Sequence, residues 1–433
     1  YFERHDGSAV TCDDFRAAMA DANGEDLSQL ERWYSQAGTP VVEVSQSYDA
    51  TTKQFSLTLK QYTPDTPGQK REDKLPFMIP VKVGLLNPST GKDVLPEGTT
   101  VLRFVEAEQT FIFEGIEEKP IASVLRGFSA PVRLQFNPVQ TDEELTFMMA
   151  HDSDSFNKWD AGNKFQIMLL LSQIKAITTD SDLPPLPESF ISAMRQVISS
   201  CASGVADPSL IAYAMQLPDG TTLSQEVDVI DPDAIHAAIK HTKKSLAIAL
   251  KAELQTVYDS LTGSGPYEFS ASEVGRRRLR NTCLDYLSAA DSVEDAAERA
   301  MGQFKTANCM SDKLAALSAL VDLPMASPER SKALSAFYED AKGDALVLNK
   351  WFAIQASASV DKLLDLVQDL KKHPDFTMTN PNRCRSLVQV FAGSKHFHAT
   401  DGAGYAFLAD NIIELDVEIN NPQVAARMAG VFS

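Results

Sequence analysis

The sequence runs to 433 residues, 44% hydrophobic and 23% charged, the make-up of a globular chain and not of a disordered, collagen-like or disulfide-framework protein. At about 150 residues per domain it should hold about three domains. Lysine and arginine number 40 against 59 aspartates and glutamates, a net charge of −19; that field repels phosphate backbones and anionic lipid, so the expectation is no nucleic-acid and no membrane partner.

The first residues, Tyr1 to Thr11, already read as the middle of a folded region, and the chain is expected to be a piece of a longer polypeptide. Residues 1–38 look helical. Thr11 can cap a helix carrying Phe15, Met19 and Ala22, with Asp13 and Asp14 at its positive end. A second helix is expected with Leu27, Leu30, Trp33 and Tyr34 on one face, ended by Gly38 and Pro40.

From 41 to 137 the period changes to two. Phe55, Leu57 and Leu59 alternate with Ser56, Thr58 and Lys60, and similar runs occupy 41–48, 76–86, 100–116 and 121–136, separated by Pro/Gly turns. Five such stretches predict an all-β sandwich of about 100 residues.

From 141 to 433 the pattern is helical. Thr141 and Glu144 form a capping-box signature, and Ser327–Pro328 another helix start. Short loops between helices make consecutive helices antiparallel. No fixed-length repeat is visible, so the expectation is an irregular helical superhelix. The longest apolar run, 167–174, falls far short of a ~20-residue membrane span.

Few residues point to chemistry. The five cysteines (12, 201, 283, 309, 384) are odd in number and lack CxxC spacing, which predicts reduced, mostly buried thiols in a reducing compartment. His236 and His241 are five apart, too far around a helix to share a metal. His396 and His398 lack a nearby third ligand, so no metal site is expected in this chain. Residues 263–266 and 401–405 match no phosphate-loop pattern and read as helix stops or loops. The run Arg276-Arg277-Arg278-Leu279-Arg280 could be an RNA or peptide-carboxylate patch, but pairing with neighbouring acids along a solvated helix face is the simpler reading. Two late polar stretches are ambiguous. Arg383 and Arg385 fall in the first turn of a helix, against its dipole, and Gln423 and Arg427 stack at i and i+4. They are either plain solvent faces or a polar wall facing a cavity. No catalytic residue is apparent.

Residues 1–49 and the segment from Asn380 through Arg427, with "GNKFQIMLLL" and "NKWFAIQA" between them, closely resemble alanyl aminopeptidases of the aminopeptidase N family, the bacterial type shared with plants, algae and apicomplexans. The resemblance covers essentially the whole chain. It implies the last helices of a thermolysin-like zinc domain at 1–38, a β-sandwich domain at 41–137, and most of a helical superhelix at 141–433, incomplete at its end. It further implies a zinc peptidase acting on short peptides, in the cytoplasm or a plastid. The zinc ligands, the Gly-x-Met-Glu-Asn loop and the transition-state tyrosine would lie upstream of Tyr1, so this segment alone should be inactive and would partner the upstream catalytic domain. By resemblance Gln423, Arg427 and Arg385 match positions lining the substrate pocket. One departure is a shorter loop within 391–399. The alternative is a zinc-free scaffold of the same shape that serves as a protein-interaction platform.

Overall fold

The computed structural model describes every residue except Ser203, Val205, Ser264 and Ser433. It divides into two compact units, Tyr1–Phe165 and Gln166–Ser433.

In the first unit, Thr11 caps helix α1 (Cys12–Asn23), its hydroxyl accepting from Asp14 N while the Asp14 carboxylate accepts from Thr11 N. The predicted apolar face is largely open: Phe15 is 44% exposed, Ala22 is exposed and Met19 half-buried, while the residue this helix buries is Ala18, outside the predicted set. The second expected helix is instead a 3-10 turn (Ser28–Glu31) followed by one short helical turn (Arg32–Ser35). It is latched to the following domain by side chains. Gln29 Nε2 donates to the carbonyls of Pro76 and Val105, and Trp33 Nε1 donates to that of Met78 at 2.9 Å.

Seven strands follow: β1 (Val41–Asp49), β2 (Gln54–Tyr62), β3 (Ile79–Leu86), β4 (Thr100–Phe104), β5 (Glu108–Phe113), β6 (Ile121–Val124) and β7 (Arg133–Phe136). One sheet has the order β5-β2-β1-β7, the other β4-β3-β6. Within the first sheet β1 pairs antiparallel with β2 and parallel with β7 (Val41 opposite Arg133). Phe55, Leu57 and Leu59 are fully buried and meet Val81, Val83 and Phe104 in one core. Truncating such a side chain to alanine typically costs about 2–5 kcal/mol.

Two sequence stretches read as single strands are each two. Residues 100–116 cross from one sheet to the other between β4 and β5, and residues 121–136 cross between β6 and β7. The crossing at Leu125–Phe128 needs left-handed backbone at Leu125 (φ 66°), Gly127 (φ 62°) and Phe128 (φ 50°). Arg126 lies inside this bend, 2% exposed. Its guanidinium donates to Ser123 Oγ, the Gly98 carbonyl, Thr99 Oγ1, Asp93 and Asp152 at 2.7–3.0 Å. The strain of the left-handed residues, about 1–3 kcal/mol each for the two non-glycines, is offset by this buried network. Gly84 on β3 is required beneath it, since a Cβ there would come within 1.9 Å of the Arg126 Cζ. Asp152 ends helix α2 (Asp142–His151), which Thr141 and Glu144 cap as the sequence indicates.

Helix α3 (Ser155–Thr178) contributes residues to both units. The second unit is helical: α4 (Glu188–Ser199), α5 (Pro208–Met215), α6 (Pro232–Ala249), α7 (Lys251–Ser260), α8 (Ala271–Ala290), α9 (Val293–Thr306), α10 (Met310–Val321), α11 (Pro328–Ala341), α12 (Ala345–Ala356), α13 (Leu363–Lys371), α14 (Ala403–Ile413) and α15 (Pro422–Ala429), with shorter turns between. Neighbours in sequence pack together, α9 on α10 and α11 on α12, and α8 lies against α5, α6, α7 and α10. Short side-chain caps start most of these helices, for example Asp231 on Ala234 N, Ser292 on Asp295 N and Asp344 on Leu346 N. Among the described residues no helix is long and apolar enough to cross a membrane.

Candidate functional site

Helix α15 carries two of the predicted residues. Asn421 Oδ1 accepts from Val424 N at 3.2 Å and Pro422 occupies the first position, so the helix start is fixed. Val424, Ala425 and Met428 are buried, and Gln423 and Arg427 stand exposed on the other side. Their spacing of four puts both polar ends on one helical face. Among the described residues neither side chain is held by a hydrogen bond or ion pair, so both are free to meet a ligand.

Arg385 lies on a different element. A short helical turn, Pro381–Cys384, capped by Asn380, widens at Arg385 into a π-helical turn through Gln389. A second π-turn spans Glu414–Glu418, at the end of α14. Such turns recur at functional sites because they push one residue out of the helical register. Glu414, the first residue of this second turn, takes Lys371 of α13 at 2.5 Å. This pair lies beside Cys384: burial pushes its thiol up to about 11, with Glu414 adding to the rise and Lys371 and Arg385 opposing it. The second π-turn packs against α15, and Asn421 N donates to Leu415 O at 2.8 Å. The fold therefore strings Arg385, the Lys371–Glu414 pair and the Gln423/Arg427 face along adjoining elements. It brings Gln423 and Arg427 together, and it gives no direct contact from either to Arg385.

Arg383, grouped with Arg385 in the sequence, has a different fate. It is 5% exposed, donating from Nε to Asn349 Oδ1 at 2.5 Å and from the guanidinium to the carbonyls of Asp375 and Ala345. Its guanidinium lies 5.1 Å over the Phe352 ring. Its work is to tie α12 to the following loop, not to face solvent or a cavity.

The arginine run on α8 also departs from the solvated-face expectation. Arg276 and Arg277 do pair with Glu273, at 2.9 and 3.3 Å. Yet Arg277 and Arg280 are buried, at 5% and 7% exposure, and Arg280 Nη2 donates to Tyr258 Oη at 3.3 Å. Arg278 alone of the four is exposed. Of the two glycine turns, residues 401–405 open α14 instead of stopping a helix: Gly402 has φ 73°, and a Cβ on Gly404 would fall 2.4 Å from Phe397 O. In the other, Gly263 and Gly265 lie in the α7–α8 loop, and Ser264 is outside the described residues.

Histidines give no ligand set. His236 and His241 are both half-buried on α6. His236 is held below its usual range by burial, then by the charges of Lys395 and Lys240 and by His396; Asp233 opposes them. His398 Nδ1 lies 3.0 Å from Tyr405 Oη. Among the described residues no group of three or more His, Cys, Asp or Glu is arranged to hold a metal ion. These residues therefore do not fit a zinc site, and no step of a metal reaction is assigned to them. All five cysteines are free thiols. Only Cys283 and Cys384 are buried; Cys201 and Cys309 are half-buried and Cys12 is exposed, which corrects the expectation that most are buried.

Residues 38–137 match the DUF3458 model, a domain of unknown function described as an Ig-like fold. Residues 142–433 match the DUF3458_C model, a domain of unknown function described as ARM repeats. The chain is 39% identical over 438 residues to aminopeptidase N of Escherichia coli (strain K12), covering 99% of this chain and 48% of that protein. Aminopeptidase N of Haemophilus influenzae is 35% identical and that of Caulobacter vibrioides 38%, with the same coverage. The crystal structure of Legionella pneumophila aminopeptidase A in complex with aspartic acid superposes with a TM-score of 0.79 at 28% identity, over 100% of this chain and 48% of that one. The chain thus spans about half the length of the relatives it matches.

Proposed function

Because the chain belongs to the DUF3458_C family and carries a DUF3458 Ig-like domain ahead of it, we propose that it is the non-catalytic C-terminal half of a zinc aminopeptidase that removes N-terminal residues from short peptides. In this reading the helical unit encloses the active-site cavity and gates peptide access. The observation that carries it is the end-to-end match to aminopeptidase N from three bacteria, each covering 99% of this chain.

Zinc would be held by residues outside this chain, where it would polarise the scissile carbonyl and activate water. The chain by itself would be inactive. Its own residues would bind and orient. Gln423 would hydrogen-bond the substrate, and the forked guanidinia of Arg427 and Arg385 would take its backbone carbonyls or its carboxylate. Among the described residues none of the three side chains is held by a hydrogen bond or ion pair, which supports that role, and the net charge of −19 is compatible with a substrate bearing a free amine. Five free thiols support a reducing compartment, the cytoplasm or a plastid.

The test is made on the native protein that contains this chain. Zinc is quantified, and hydrolysis of an alanyl arylamide is followed before and after chelation. The expected result is about one zinc per polypeptide, with hydrolysis lost on chelation and regained with zinc. A folded protein with neither zinc nor hydrolysis would sink the peptidase reading and leave the scaffold.

A further inference from the structure

The arginine run on α8 is the motif that the proposed function leaves unused, and the structure surrounds it with cavities. Two of them adjoin, of about 500 and 580 Å³, and share Arg278, Thr282 and Asp285. These three residues lie at i, i+4 and i+7, a single stripe along the helix. Cavities of that size suit a small ligand or the end of a peptide.

The charges along the stripe are unevenly partnered. Asp285 is already taken by Lys243 at 2.5 Å. Arg276 and Arg277 are taken by Glu273, and Arg280 by Tyr258. Arg278 has no hydrogen bond or ion pair from its guanidinium among the described residues, and instead lies 4.5 Å from the centroid of the Tyr213 ring. This cation–ring contact leaves the guanidinium N–H groups open, and such a fork meets a carboxylate with two parallel hydrogen bonds. The walls beside it are aromatic and open to solvent: Tyr213 is 45% exposed, Tyr267 55% and Phe269 82%. Tyr213 lines one cavity and Tyr267 and Phe269 the other, so each presents apolar surface to an entering ligand.

We infer that this groove binds the C-terminal end of a peptide, with its carboxylate on Arg278 and its last, apolar side chain against the aromatic walls. Asp285 is compensated by Lys243, so it does not oppose the ligand's carboxylate on Arg278, and its remaining lone pairs can accept an amide N–H from the ligand's backbone. The inference rests on the peptide-handling reading above for its choice of ligand, but not on catalysis.

The test is binding, not hydrolysis. The full 433-residue chain is titrated calorimetrically with an N-acetylated tripeptide ending in phenylalanine, once as the free acid and once as the C-terminal amide. The acid is expected to bind at least about tenfold more tightly, the usual worth of a charge-assisted hydrogen-bond pair. Arg278→Gln should erase that difference and Arg278→Lys should keep part of it. Tyr213→Leu should weaken the acid. Arg278 is exposed, so these variants should melt like the wild type, which separates lost binding from lost fold. Equal affinity for acid and amide overturns the inference. So does an acid preference that survives Arg278→Gln, or one that disappears only in Arg385→Gln or Arg427→Gln. Because the acetylated peptides have no free amine to process, failure here leaves the aminopeptidase reading intact, and failure of that reading leaves this result unaffected.

Discussion

Arg126 Nη2 lies 3.0 Å from Asp152 Oδ1, and the two side chains are 2% and 0% exposed. The pair joins the strained bend between β6 and β7 to the end of α2. Asp152 is raised from the ordinary carboxylate range by burial, and its hydrogen bonds and Arg126 pull it back only in part. Removing one member strands the other charge, at a typical cost of about 3–5 kcal/mol. Arg126→Met should therefore lower the melting temperature sharply, while Arg126→Met with Asp152→Leu should recover part of the loss. Equal melting of wild type and Arg126→Met would refute the pairing as a source of stability.

Gly84 supplies an independent check on the same network. Gly84→Ala should destabilise strongly when Arg126 is present and hardly at all in an Arg126→Ala background, because the clash is with that guanidinium. A double-mutant cycle measures the coupling; additive effects would mean the glycine matters for another reason.

The arginines at 383 and 385 should separate cleanly. Arg383→Ala removes three partly buried hydrogen bonds of a buried guanidinium and should cost about 2–4 kcal/mol in denaturant unfolding. Arg385→Ala should cost less, about 1 kcal/mol or below, since among the described residues its half-buried side chain makes no hydrogen bond or ion pair. The reverse order would contradict a structural Arg383 beside a ligand-facing Arg385.

In the native protein that contains this chain, Arg427→Ala should raise KM for short peptides more than it lowers kcat. Steady-state kinetics on di- to tetrapeptides checks it, and an unchanged KM would count against a substrate-facing α15.

Acid should loosen the second unit from about pH 6.5 downward. His236 and His396 are both held below their usual range, chiefly by burial. Around them stand Lys395 and Lys240, which deepen the shift, and Asp233 and Asp361, which oppose it. Each ring is thus neutral when folded and takes a proton more readily when unfolded. Their contribution is whole above pH 6.5 and is lost as pH falls toward the lowered native values. Melting temperature against pH should flatten over that window in a His236→Gln, His396→Gln variant.

The broad architecture was legible because its signals are local. The alternation of Phe55, Leu57 and Leu59, the Thr141–Glu144 capping box and Ser327–Pro328 each act within a few residues, and each stands in the structure as read. The sheet crossings were not legible, since inward and outward alternation continues on both sides of Val105–Ala107 and nothing in the period says that the partner strand changes. Nor could sequence tell Arg383 from Arg385, two residues apart. Which one is buried depends on Asn349 and Phe352, brought from more than 30 residues away by α12. The run at 276–280 likewise looked uniform, and only helix packing divides it into buried and exposed members. Of the candidate site, the i, i+4 pairing of Gln423 and Arg427 was visible, but the π-turns that place Arg385 and Glu414 were not.

In the first sheet, β1 pairs with β7, although these are the first and last strands of the domain. A ribosome must therefore extrude the whole span before that sheet can be completed. Until residue 136 emerges, the backbone of Val41–Val44 is an unprotected edge, open to any neighbouring nascent chain that presents a strand.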